Sequence, residues 1–272
     1  MTVPIETIHL FQELDRRLIE LLRSLSPDDW NKQTLARLWT VKDIAAHLLD
    51  GNIRTPSMIG DGYFGESPGE INSYQDLVNY LNRLNSDWVK AMKRVSPAQL
   101  VSLLEITATP YYECLRALPP FEKSLFAVDW AGQAHSTNWF HIAREYTEKW
   151  HHQQQIHEAV GSPGNMESKF FSPLIQTFMQ ALPHTYRNTK ATEGASIDVR
   201  VGDDHWTLSF RGNKWNFGEN TDSPAVKIEI EPAIAWKLFT KGINREQAGQ
   251  KIVSTGDRRL GEPILTMVSV MA

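Results

Sequence analysis

Apolar residues recur three and four positions apart through the first 160 residues, and the pattern changes after residue 190. Residues 5–25 set Ile8, Leu10, Phe11, Leu14, Leu18, Leu21 and Leu22 on one stripe, which predicts an amphipathic helix ended by Ser26-Pro27-Asp28-Asp29. Thr40, with Asp43 three residues on, predicts a capping box at the start of a second helix, and Trp39 is placed to staple its entry. Ser73 and Asp76 repeat the signal before a third helix through about residue 95. Ser96-Pro97 opens a fourth, proline being suited to the first helical position. Pro110 and Pro119-Pro120 predict irregular backbone, and 121–137 reads as a connection. Another helix starts near Asn138 and is stopped by Gly161 and Pro163; a shorter one runs from Phe170 to about Leu182.

Beyond Lys190 the texture is that of strands. Residues 195–201, 205–210 and 225–230 alternate or run with β-branched and aromatic residues. Asp203-Asp204 and Gly212-Asn213 supply hairpin turns. Glu231-Pro232 leads into a helix through Phe239, and an apolar segment, 260–271, closes the chain. The pattern predicts α plus α/β: a helical bundle over 1–165, a helical connector over 166–190 and a small α+β domain over 191–272. No internal repeat or low-complexity segment interrupts these parts.

A length of 272 residues also favours two domains. With 41% hydrophobic and 22% charged residues, the chain has the composition of an ordinary globular protein with a sizeable core. Its 28 basic and 32 acidic residues give a net charge of −4 without a basic stripe, so electrostatics point away from nucleic acid. No apolar stretch approaches a membrane span and the N-terminus has no signal-peptide pattern. Cys114 is the single cysteine; it excludes an internal disulfide, fits a reducing cytoplasm and reads as a small buried hydrophobe.

The candidate chemistry lies in the run Glu148-Lys149-Trp150-His151-His152. Glu148 and His152 are one helical turn apart and project from one face. On a helical wheel His141, Arg144, Glu145, Glu148, His151, His152 and Gln155 share one side, a face that is either solvated or lines a cleft. His47, on the flank of the stripe of Val41, Ile44, Leu48 and Leu49, can add an imidazole from a second helix. Such a two-histidine, one-carboxylate set suits a divalent metal, and three protein ligands on zinc leave a position for water or substrate. The donors suit zinc and also accept nickel, cobalt, manganese or iron.

The Asp-Ile-Ala-Ala-His stretch after Trp39-Thr40, followed far downstream by Glu148-x-x-x-His152 before Gln155-Ile156, resembles the DinB-like metalloprotein superfamily. Glutamate at position 148 is similar to the mycothiol-dependent maleylpyruvate isomerases. In the last third, Ala-Trp-Lys-Leu-Phe-Thr-Lys-Gly (235–242), Gly256-Asp257 and the ending Met-Val-Ser-Val-Met-Ala resemble that family's second domain, a small sterol-carrier-like fold. The resemblance implies a DinB-like four-helix bundle with His47, Glu148 and His152 as ligands of one divalent metal, followed by a sterol-carrier-like α+β domain. Where the family often has an aspartate three residues after its last ligand, this chain has Gln155, as in the wider DinB-like pattern.

The resemblance further implies a thiol cofactor such as mycothiol and a small-molecule substrate. A metal holding two neutral imidazoles and one carboxylate keeps a residual charge of roughly +1, and can bind a thiol as thiolate below its free pKa of about 8.5. Addition of the thiolate to an activated double bond, rotation about the new single bond and loss of the thiol would give cis-to-trans isomerisation. Attack on an alkyl or epoxide carbon would make the protein an S-transferase instead. An acidic substrate needs a cationic group, for which Arg258, Arg259 and Arg54 are candidates. On a second reading the C-terminal domain binds a lipid or other apolar small molecule without catalysis, in a cavity lined by Trp206, Trp215, Trp236 and Phe239. Neither nucleic acid nor membrane is expected as a partner, and monomer and homodimer are both open.

Overall fold

The computed structural model describes residues 2–219 and 221–270. The chain divides into two compact units, one of residues 2–126 and 135–165, the other of 127–134 and 166–270.

In the first unit the helices are α1 (Phe11–Ser24), α2 (Val41–Ile59), α3 (Tyr74–Met92), α4 (Pro97–Arg116) and α5 (Asn138–Val160). Helix α1 starts later than the apolar stripe suggested, because residues 8–10 form a 3-10 turn ahead of it. The expected capping box is present at Thr40: its hydroxyl accepts from the Asp43 amide while the Asp43 carboxylate accepts from the Thr40 amide. The reading of Pro110 as a break is corrected. Helix α4 runs through it to Arg116. The bond that proline forfeits is the one to the carbonyl of residue 106, and Ile106 is exposed, so water can take that carbonyl.

Helices α1, α2, α4 and α5 pack as a four-helix bundle, with α3 laid on α2. Leu18, Leu22, Ile44, Leu48, Leu100, Leu104 and Ile156 form its core. The Trp88 indole N–H donates to the Ala46 carbonyl at 2.8 Å, fastening α3 to the helix that carries His47. Helix α5 is buried almost all round, and Gly161, in the left-handed region, ends it as the sequence predicts.

The second unit starts its helical part with α6 (Ser168–Phe178), a 3-10 turn and the short α7 (Leu182–Thr185). Its sheet is β1 (Ser196–Val201), β2 (Asp204–Arg211), β3 (Lys214–Phe217), β4 (Val226–Ile230) and β5 (Val253–Gly256), in the order β3-β2-β1-β4-β5. β1 and β4 are parallel and the other pairs antiparallel. The β2–β3 turn uses Gly212 and Asn213, both with positive φ, as a two-residue hairpin requires. The β1–β2 turn is Gly202-Asp203 rather than the expected Asp203-Asp204, because Gly202 takes the positive φ. Strands β3 and β5 escape the sequence pattern, being four residues each and largely exposed.

Ile197, Val199, Val201, Leu208, Phe210, Val226, Ile228 and Ile230 fill one face of the sheet; Asp198, Arg200, His205, Lys227 and Glu229 take the other. Three helices follow β4 in the chain: α8 (Pro232–Phe239), α9 (Arg245–Gly249) and α10 (Arg258–Gly261). The closing apolar segment is a 3-10 stretch (Glu262–Thr266) and extended chain, with residues 271 and 272 outside the described residues. Among the described residues no helix is long and apolar enough to cross a membrane. Cys114 is half-buried rather than fully buried, and burial pushes its thiol up.

Candidate metal centre

Helix α2 presents His47 and α5 presents Glu148 and His152. One donor atom from each comes within 4.8 Å of the others. His152 Nε2 lies 3.4 Å from Glu148 Oε2. The rings of His47 and His152 meet edge to face with centroids 4.7 Å apart. Trp39, at the entry to α2, lies over both imidazoles, 4.7 Å from His47 and 6.0 Å from His152.

Two features fit a cation. His47 Nδ1 is enclosed without a hydrogen-bond partner, an expensive state for an imidazole nitrogen. His152 Nδ1 faces Gln155 Oε1 at 2.9 Å. An amide oxygen can only accept, so Nδ1 carries the proton and Nε2 is left with its lone pair toward Glu148. The Gln155 position, read from sequence as a departure from the family's aspartate, therefore has the orienting role an aspartate would have.

Electrostatics keep the donors in ligating form. Burial pushes His47 well below the usual histidine range, and His152 adds to that. Burial works against ionised Glu148, but the histidines around it, His151 first and then His152 and His47, favour the carboxylate and hold it at about 2. His151 was only one of several polar-face residues in the sequence. Its ring stacks 4.0 Å from that of His152, its Nδ1 is held by the Thr147 carbonyl at 2.8 Å, and burial followed by His152 lowers it to about 4. A polar residue next to a ligand on the same helix was the signal available for it.

The polar side of α5 is not a solvated face. His141, His151, His152 and Gln155 are all buried. Behind it lies a network with no sequence signal, since its members come from four helices. The Lys149 ammonium donates to Asp15 Oδ1 at 2.6 Å and Asn52 Oδ1 at 2.8 Å, and sits 4.5 Å over the Tyr111 ring. The other sequence candidates stand apart from the cluster's direct contacts. Arg54 is part-exposed on α2 and pairs with Asp50 at 3.1 Å. Arg258 and Arg259 belong to the second unit, where they are exposed and pair with Glu262 and Asp257.

A four-helix bundle bearing a two-histidine, one-carboxylate cluster, joined in one chain to a small α+β unit, is the architecture the fold and site define. The mycothiol maleylpyruvate isomerase N-terminal domain model matches residues 11–157, and the chain belongs to that family. Two crystal structures share the fold across both units. The mycothiol-dependent maleylpyruvate isomerase has 12% identity and a TM-score of 0.55, with 94% of this chain and 95% of that one covered. A histidine-to-alanine mutant of that isomerase has 11% identity and a TM-score of 0.54 over the same shares. No curated protein matches the sequence.

Proposed function

We propose that this chain is a divalent-metal-dependent enzyme that activates a low-molecular-weight thiol, mycothiol or a relative of it, for isomerisation of an unsaturated acid or for S-transfer. The carrying observation is the approach of His47, Glu148 and His152 donors to within 4.8 Å of one another, on a fold whose family is named for a thiol-dependent isomerase. Zinc is the favoured ion for this donor set. When bound, the ion supplies Lewis acidity that keeps a thiol deprotonated near neutral pH.

The chain's own residues supply the rest. Glu148 stays ionised and His47 neutral through physiological pH, so no proton must leave either before it ligates. Gln155 fixes the His152 tautomer and ring orientation. Trp39 packs against both imidazoles, with tilted ring planes 4.7 Å and 6.0 Å away. The second reading, an apolar ligand in the C-terminal unit, has less support. Trp215, Trp236 and Phe239 are buried core residues, and the Trp215 N–H is engaged by the Thr189 carbonyl at 2.8 Å.

Metal content by elemental mass spectrometry tests the proposal, on protein purified without chelator or metal column, beside the Glu148→Ala/His152→Ala double mutant. About one ion per wild-type chain and none in the mutant is the expected result, followed by turnover when thiols are screened with electrophilic unsaturated acids. A wild-type chain that takes up no metal, even with added zinc, overturns it.

A further inference from the structure

The stripe of α5 that carries Glu148 and His152 continues toward the helix start through Glu145, Arg144 and His141. His141 is 3% exposed, and its Nε2 is enclosed with no hydrogen-bond partner. Arg144 Nε is enclosed and unpartnered in the same way. An Arg144 terminal nitrogen lies 3.4 Å from His141 Nδ1. Arginine can only donate, so His141 Nδ1 is the acceptor and its proton sits on Nε2. Two buried N–H groups, one on a cation, thus lack an acceptor.

The nearest carboxylate does not supply one. Glu145 Oε2 accepts from the Tyr111 hydroxyl at 2.7 Å, and its Oε1 is 4.0 Å from His141 Nδ1. Aromatic rings flank the pair: the guanidinium carbon is 5.8 Å from the Phe140 ring centre, and the His141 and Phe126 rings are 6.1 Å apart. Glu145 and Glu148 act on the guanidinium through space but leave these two N–H groups without an acceptor; buried donors without acceptors are the complement of an anion, and the planar guanidinium favours a carboxylate. Arg144 precedes Glu148 by one turn, about 6 Å along the helix axis, which is about the length of a four-carbon acid.

We propose that Arg144 and His141 form a carboxylate subsite beside the three-donor cluster, holding the acid group of the electrophile with its double bond toward that cluster. The identity of the electrophile rests on the function proposed above; the existence of the subsite does not.

The test is calorimetric titration of the full chain with maleate, both metal-free and zinc-loaded, with neutral dimethyl maleate as control. Arg144→Gln should weaken maleate about tenfold to a hundredfold in both forms, the loss of one charge-assisted hydrogen bond. It should leave zinc stoichiometry and dimethyl maleate binding unchanged. Undiminished maleate binding by Arg144→Gln, or none by the wild type, overturns the subsite. If Arg144→Gln does not fold, His141→Phe decides: it keeps a flat ring beside Phe126 and removes the Nε2 donor, and unchanged maleate affinity there is equally fatal. Zinc uptake is read on the same samples, so a chain that binds maleate through Arg144 but never takes up zinc refutes the proposed function and keeps the subsite.

Discussion

Removing the Lys149 ammonium should strongly destabilise the helical unit. Lys149 and Asp15 have side chains 4% and 10% exposed, and their charged atoms are 2.6 Å apart. Burial pushes the Asp15 carboxyl up, and Lys149, by charge and hydrogen bond, opposes it. The Asn52 amide completes the network, its NH2 donating to Thr107 Oγ1 at 3.1 Å while its oxygen faces Lys149 at 2.8 Å. Lys149→Met keeps most of the aliphatic stem and isolates the effect of the charge. It leaves Asp15 buried without its cation and Asn52 Oδ1 without its donor, which costs about 3–5 kcal/mol for breaking a buried pair from one side. Asp15→Leu/Lys149→Met removes both charges together and should recover most of that loss, ending within about 1–2 kcal/mol of the wild type. Urea unfolding followed by far-UV circular dichroism measures both, read on the transition that reports the helical unit. A Lys149→Met cost below about 1 kcal/mol, or a double mutant no better than the single one, would refute the view that the pair is coupled and buried.

Other consequences can be checked with equal directness. Gln155→Leu frees the His152 tautomer and should weaken zinc about 10- to 100-fold, while Gln155→Asp should hold it at least as tightly; equal zinc affinity in Gln155→Leu and wild type contradicts the orienting role. In the metal-free protein His151 sits at about 4 against an ordinary 6.5, so between those pH values the unfolded chain binds a proton that the folded chain refuses. Stability therefore falls as pH falls through that window, by about 3 kcal/mol from this group, and His151→Gln should flatten the profile of urea midpoints; parallel profiles would contradict it. Gly256 has φ +112, and a Cβ there would run into the Ala225 carbonyl and the Val226 Cα. Gly256→Ala should lower the stability of the α+β unit by at least about 1–3 kcal/mol, seen as a fall in its thermal midpoint, and an unchanged midpoint would show that the β4–β5 edge can move apart.

Much of this protein is legible in order along the chain. Caps at Thr40, Ser73 and Ser96, the stop at Gly161 and the hairpin at Gly212-Asn213 are local devices, set by a few neighbouring residues, and the structure has them where the sequence puts them. Glu148 and His152 could be paired in advance because helical spacing is fixed. Their approach to His47, though it spans about a hundred residues, followed from resemblance to a known pattern. Pro110 was misread because its neighbours say nothing about whether the freed carbonyl will face water. Strands β3 and β5 were missed because they are only four residues long and largely exposed, and owe their conformation to the strands beside them.

What only the tertiary structure decided is the state of the polar face of α5. Seven polar residues on one side of a helix read the same whether water or other helices lie against them. Packing buries His141, His151 and His152, turns Gln155 into an orienting acceptor, draws Asp15 and Asn52 onto Lys149 from two other helices, and leaves Arg144 with a donor to spare. Sequence determined which residue types stand one turn apart, because helix geometry is local. Desolvation depends on what the rest of the chain brings alongside, and in this site desolvation sets the charge and protonation of the groups that matter.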